Sequence, residues 1–109
     1  MNRNLFRRNF SIFKGTSKDV EIIFSFGDSE PYEMKEDDSL ILKVLDYRND
    51  DNVVIEKEIK GSSLFSFIPS DTEELDVGFY RYNIKFVPGE EDNVYEVVAP
   101  SVFHIEAGE

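Results

Sequence analysis

The chain has no cysteine, no tryptophan and only one histidine, and alanine occurs just twice, at Ala99 and Ala107. Without cysteine there can be no disulfide, no zinc–thiolate centre and no thiol nucleophile. That absence fits a reducing compartment. Scarcity of the best helix former argues against a helical protein. No apolar run approaches the ~20 residues a membrane span needs. The first residues also lack the uninterrupted apolar stretch of a signal peptide, so the expectation is folding without export. Basic residues are short too, 12 against 23 acidic, for a net charge of −11. Such a surface repels phosphate backbones, and neither nucleic acid nor membrane is expected as a partner.

What remains is rich in strand formers. Ten phenylalanines and five tyrosines supply all the aromatics of a chain of 109 residues, and both favour pleated, half-buried surfaces. The length is that of one domain. Charge is uneven along it: residues 1–18 hold Arg3, Arg7, Arg8, Lys14 and Lys18 and no acid. We therefore divide the chain into a basic arm over residues 1–9, a single domain over 10–106 and a short tail over 107–109.

Period-two alternation sets out the strands. Val20, Ile22, Phe24 and Phe26 share one face of a first strong run. Leu40, Leu42 and Val44 mark a second, with apolar residues on both faces, as in a central strand. A polar turn is expected over Arg48–Asn52, then Val53, Ile55 and Ile59 alternate with charges. Leu64–Ile68 opens another strand. Ser70 and Glu73 have capping-box spacing, which predicts a helical turn near residues 70–75. The clearest strand runs from Phe79 to Val87, with Tyr80, Tyr82, Ile84 and Phe86 on one face. Pro88–Asn93 reads as a hairpin loop and Val94–Val98 as its return strand. Pro100 interrupts, and Val102–Ile105 is a last short strand; Phe10–Phe13 is a weaker first one. The fold class expected is all-β, an immunoglobulin-like antiparallel β-sandwich of seven or eight strands with one helical turn.

Two stretches sharpen that expectation. Asp76-Val77-Gly78-Phe79-Tyr80-Arg81-Tyr82 resembles the D-x-G-x-Y-x-C signature of immunoglobulin domains, with Tyr82 where the cysteine would stand. The resemblance implies a structural corner of Asp76, Gly78, Tyr80 and Tyr82, in which the Tyr80 hydroxyl bonds the backbone just upstream. The order of Lys14-Gly15-Thr16, Asp71-Thr72, Leu75, Gly78, Tyr80, Tyr82-Asn83-Ile84 and Phe103-His104-Ile105 is similar to small immunoglobulin-like domains of tailed phages and prophages. Among these it resembles notably the N-terminal domain family of upper baseplate proteins, whose usual aspartate is replaced here by Asn83. The resemblance covers roughly residues 10–106. It implies a virion tail or baseplate component, assembled in the host cytoplasm, that joins other phage structural proteins or itself and catalyses nothing.

Chemistry-bearing motifs are otherwise missing. His104 lies between Phe103 and Ile105 and is expected to face outward on its strand. The acidic groups Glu36-Asp37-Asp38, Asp50-Asp51, Glu73-Glu74 and Glu90-Glu91-Asp92 are expected in solvated loops, and none has EF-hand order. There is no P-loop, no dinucleotide glycine pattern and no nucleophile elbow. No catalytic residue, metal ligand or cofactor is assigned, and a small-molecule ligand is not expected. A sugar site lined by Tyr32, Tyr47 and Tyr95 is the alternative, making the chain a carbohydrate- or cell-surface-binding sandwich. Gly61–Pro69 carries no charge and is apolar on both strand faces, so Leu64, Phe65, Phe67 and Ile68 form a candidate interface. Leu5, Phe6, Arg7 and Arg8 of the arm form a second.

Overall fold

The computed structural model describes residues 9–25, 30–46, 48–90 and 93–107, without the side chains of residues 49–51 and 99. Its strands are β1 (Phe10–Phe13), β2 (Lys18–Glu21), β3 (Ser39–Asp46), β4 (Asn49–Lys60), β5 (Leu64–Phe67), β6 (Gly78–Val87) and β7 (Tyr95–Glu106). One short helix, α1 (Pro69–Thr72), stands between β5 and β6. The chain is all-β, with a five-stranded sheet in the order β1-β7-β6-β3-β4 and a two-stranded sheet of β2 and β5. All neighbours are antiparallel except β1, which lies parallel to β7.

Alternation explains the larger sheet. In β6, Tyr80, Tyr82, Ile84 and Phe86 are buried while Phe79 and Lys85 face out. The register sets Leu40 beside Phe86, Leu42 beside Ile84 and Val44 beside Tyr82. Six apolar side chains thus share one face at the centre, each removed from water and each contributing about 1.5–3 kcal/mol. The smaller sheet presses Phe65 and Phe67 against them. Phe67 meets Phe103 at 5.7 Å and Phe10 at 6.1 Å between ring centroids, so aromatic rings join the two layers.

Four elements differ from the alternation-based reading, and the first is the strong run through Ile22 and Phe24, which is strand only over Lys18–Glu21. The polar stretch expected as a turn is strand from Asn49 onward, because Asn49 already pairs with Asp46. The helical turn starts earlier than the Ser70/Glu73 spacing predicts. Pro69 takes the first helical position, where its missing N–H is no loss, and the Asp71 carboxylate accepts the Ile68 N–H at 2.9 Å. The last two expected strands are one, β7, with Pro100 inside it. Proline is tolerated there because the pairing is irregular: Tyr82 faces Ser101 and Ile84 faces Val98, so Ala99 and Pro100 together oppose Asn83. A second extra residue turns Val97 inward beside Val98, and both are buried.

Candidate functional site: the outward face of the larger sheet

The stretch from α1 into β6 holds most of the residues quoted for the resemblance. The Tyr80 hydroxyl donates to the Asp76 carbonyl at 2.7 Å. Burial, then the charges of Asp76 and Asp46, pushes the Tyr80 pKa above its ordinary 10.0, so the hydroxyl keeps its proton and remains a donor. Gly78 starts β6 at φ 151°, a conformation costly for residues with a Cβ. Tyr82 is fully buried where its ring packs edge-on against Phe10 at 5.0 Å. Asp71 forms an ion pair with Lys57 at 2.9 Å. The Thr72 hydroxyl, fully buried, accepts the Gly15 N–H at 2.8 Å and so ties α1 to the turn between β1 and β2.

The candidate interface on β5 needs correction. Phe65 and Phe67 are 0% and 1% exposed, buried against the larger sheet, and form part of the core. Only Leu64 and Ile68, 44% and 52% exposed, face away from it. The strand is apolar on both faces, and its own domain covers just one of them. Leu5, Phe6, Arg7 and Arg8 lie outside the described residues, as does Tyr47. Of the other two tyrosines, Tyr32 stacks on Phe24 at 5.5 Å and Tyr95 on Phe86 at 6.4 Å. Tyr32 also meets Phe86, at 5.2 Å, so both rings pack against the same core side chain.

One acid departs from the expectation of solvated loops. Asp38, only 3% exposed, accepts the Tyr32 hydroxyl at 2.5 Å and the Lys35 N–H at 2.9 Å on one oxygen, and the Gly89 N–H at 3.0 Å on the other. Its carbonyl accepts the Gly61 N–H at 2.8 Å. Burial alone would raise its pKa. The bonds from Tyr32, Lys35 and Gly89 and the Lys35 charge outweigh that, holding the carboxyl below its ordinary 3.8. Gly89 is required beside it, since a Cβ there would come within 2.2 Å of the Asp37 Cβ and 2.6 Å of the Asp37 carbonyl oxygen. Asp38 is a structural clasp for three chain segments. Among the described residues no group of three or more acids and histidines is placed to hold a metal ion.

The remaining surface of interest was not found from the sequence. Because Tyr80, Phe103 and Ile12 point inward, Phe79, His104 and Ser11 must point outward, and the register sets them in one row across β6, β7 and β1. Phe79 lies flat on His104, ring centroids 4.3 Å apart and planes 15° from parallel. Its other side is open: Phe79 is 60% exposed, Phe13 53% and Val77 48%. Asn9, Phe10, Ser11, Phe79, Val102 and His104 line a shallow open concavity there. The signal was available in principle. Phe79 is the aromatic residue on the polar face of the best-alternating strand.

A scan against protein-family models finds no match for this chain, and a search of curated proteins finds none either.

Proposed function

We propose that the chain is an immunoglobulin-like β-sandwich acting as a non-enzymatic docking module of a phage or prophage tail or baseplate, through protein–protein contacts. The observation that carries this reading is the pair of outward aromatic residues on the larger sheet, Phe79 on β6 and Phe13 on β1, each more than half exposed. Exposed aromatic side chains at the centre of a patch are what protein interfaces bury. Support for the fold comes from the Tyr80 hydroxyl bond to Asp76, from β1 lying parallel on β7, and from the sheet order. The virion is then the protein's place, and assembly in a bacterial cytoplasm its route there.

Co-sedimentation of the purified chain with tail particles from the strain that encodes it tests the proposal. The wild type should pellet with the particles. The Phe13→Ser/Phe79→Ser variant should bind at least about tenfold more weakly, a loss of about 1.4 kcal/mol, while keeping its fold, because surface substitutions change stability little. A chain that stays in the supernatant at every particle concentration would sink the proposal. A second reading draws on the same face: the flat ring of Phe79, with Ser11, Asn9 and His104 alongside, also suits the apolar side of a sugar. Glycan-array binding abolished by Phe79→Ser would favour that carbohydrate-binding alternative.

A further inference from the structure

The outward face of the larger sheet carries its charges in stripes. Between the buried residues of β6 stand Arg81 and Lys85, and Lys43 of β3 lies beside Asn83 on the same face. Residues 19–109 hold seven basic residues in all, and these two strands put three of them outward with no acid among them. β7 presents the reverse. Glu96 lies beside Lys85, His104 beside Phe79 and Glu106 beside Phe13, with no lysine or arginine between them. Acids return on β4, where Glu56 lies beside Lys43. Apolar side chains stand among these charges: Phe13 and Phe79 are more than half exposed, and Val53, beside Leu45, is 39% exposed. The chain as a whole carries a net charge of −11, so two copies repel. A face that mixes both signs is where they can approach.

We propose that a second copy of this chain covers the face, the two larger sheets packing about a two-fold axis that runs between β6 and β7. Such an axis lays β7 of each copy over β6 of the other. Glu96 then meets Lys85 of the second copy, twice by symmetry, and the Phe79–His104 stack meets the same stack in reverse order. Acid falls on base and ring on ring, so the stripe pattern is its own complement. The axis follows the strands, which is the aligned packing of sheets, within about 30°. An axis between β6 and β3 would instead bring the acids of β7 onto those of β4, and like charges directly opposite are destabilising. The area suffices. The strands covered, β1, β7, β6 and β3, span about 19 Å at ~4.8 Å apart, and the 10 residues of β6 run about 33 Å at ~3.3 Å each. The product, about 600 Å², reaches the lower end of the roughly 600–1,000 Å² that each partner buries in a stable interface.

The inference rests on the proposed function only in taking this face as a contact surface. Sedimentation equilibrium of the full chain tests it. The mass should rise with concentration from 12.6 kDa toward twice that value, with a dissociation constant below about 1 mM. Glu96→Lys and Lys85→Glu should each weaken the dimer at least about tenfold, because the two-fold repeats each like-charge contact. Mixed in equal amounts, the two variants should pair with each other about as tightly as the wild type, since the reversed charges then face one another. Mixing would not rescue a merely structural defect in either chain. Phe79→Ser, which leaves the charges in place, should weaken the dimer too and keeps the test decisive if a charge variant does not fold. A wild type that stays at 12.6 kDa at every concentration would overturn the inference. So would a dimer that all three variants leave intact, or charge variants that remain monomeric when mixed. A monomer that still pellets with tail particles would remove the dimer and leave the docking function standing. A dimer that never pellets would do the reverse.

Discussion

Asp38 illustrates how much one side chain can do at the end of a β-protein. Its carboxylate gathers a tyrosine hydroxyl and two backbone amides from separate segments, and its carbonyl holds Gly61 at the close of β4. The ionised form is the one these donors favour, so its pKa is lower in the folded protein than in the unfolded chain. The stability it contributes is therefore fully present above the ordinary carboxylate value of 3.8 and is lost as pH falls through the lower folded value. Asp38→Asn should lower stability at neutral pH by about 1–3 kcal/mol, because the amide replaces an acceptor of three bonds. It should also flatten the acid limb below about pH 4. Urea denaturation at pH 3 and pH 7 measures both. In the sequence Asp38 is the last of three consecutive acids, indistinguishable from Glu36 and Asp37. Its role depends on Tyr32 and Gly89 arriving from either side, and residue type alone does not encode that meeting.

β5 carries the clearest lesson at the level of the element. Its uncharged run was legible as unusual, and its alternation separates Phe65 and Phe67 from Leu64 and Ile68. Which pair faces inward is decided by the pairing with β2 and by the position of β7 across the interior, where Phe103 meets Phe67. Phe67→Ala should destabilise by about 3–5 kcal/mol, whereas Leu64→Ser and Ile68→Ser should each stay within about 0.5 kcal/mol, as exposed positions do. Thermal melts followed by far-UV circular dichroism separate these outcomes. A severe loss at Leu64 would mean that its face is covered after all. β7 shows the opposite case. Pro100 correctly marks an irregularity in the chain, but a bulge absorbs it and the strand continues, so a local breaker signal was overridden by pairing on both flanks.

For the molecule as a whole, both sheets contribute to one interior. Ile22, Phe24, Phe65 and Phe67 belong to the same buried cluster as Leu42, Ile84 and Phe103. Neither layer has a core of its own. Unfolding in urea should therefore be a single cooperative transition, with tyrosine fluorescence and far-UV circular dichroism superimposing within error. Separate midpoints would mean that the β2–β5 layer comes away first. The aromatic surface proposed for contact sits on the outward face of β1, β7 and β6.

The sequence by itself determined the all-β class, most strand positions and the inward set of β6, because a period of two is a local property that side-chain polarity records directly. A resemblance in the residues also pointed to the Asp76–Tyr82 corner, where the Tyr80 hydroxyl bonds the Asp76 carbonyl. Only the tertiary structure decided which apolar face of β5 is buried, that Asp38 is a clasp, and that Phe79 lies bare beside His104. Each of those depends on residues far apart in the chain reaching the same point, and no local pattern specifies the partner that long-range pairing will supply.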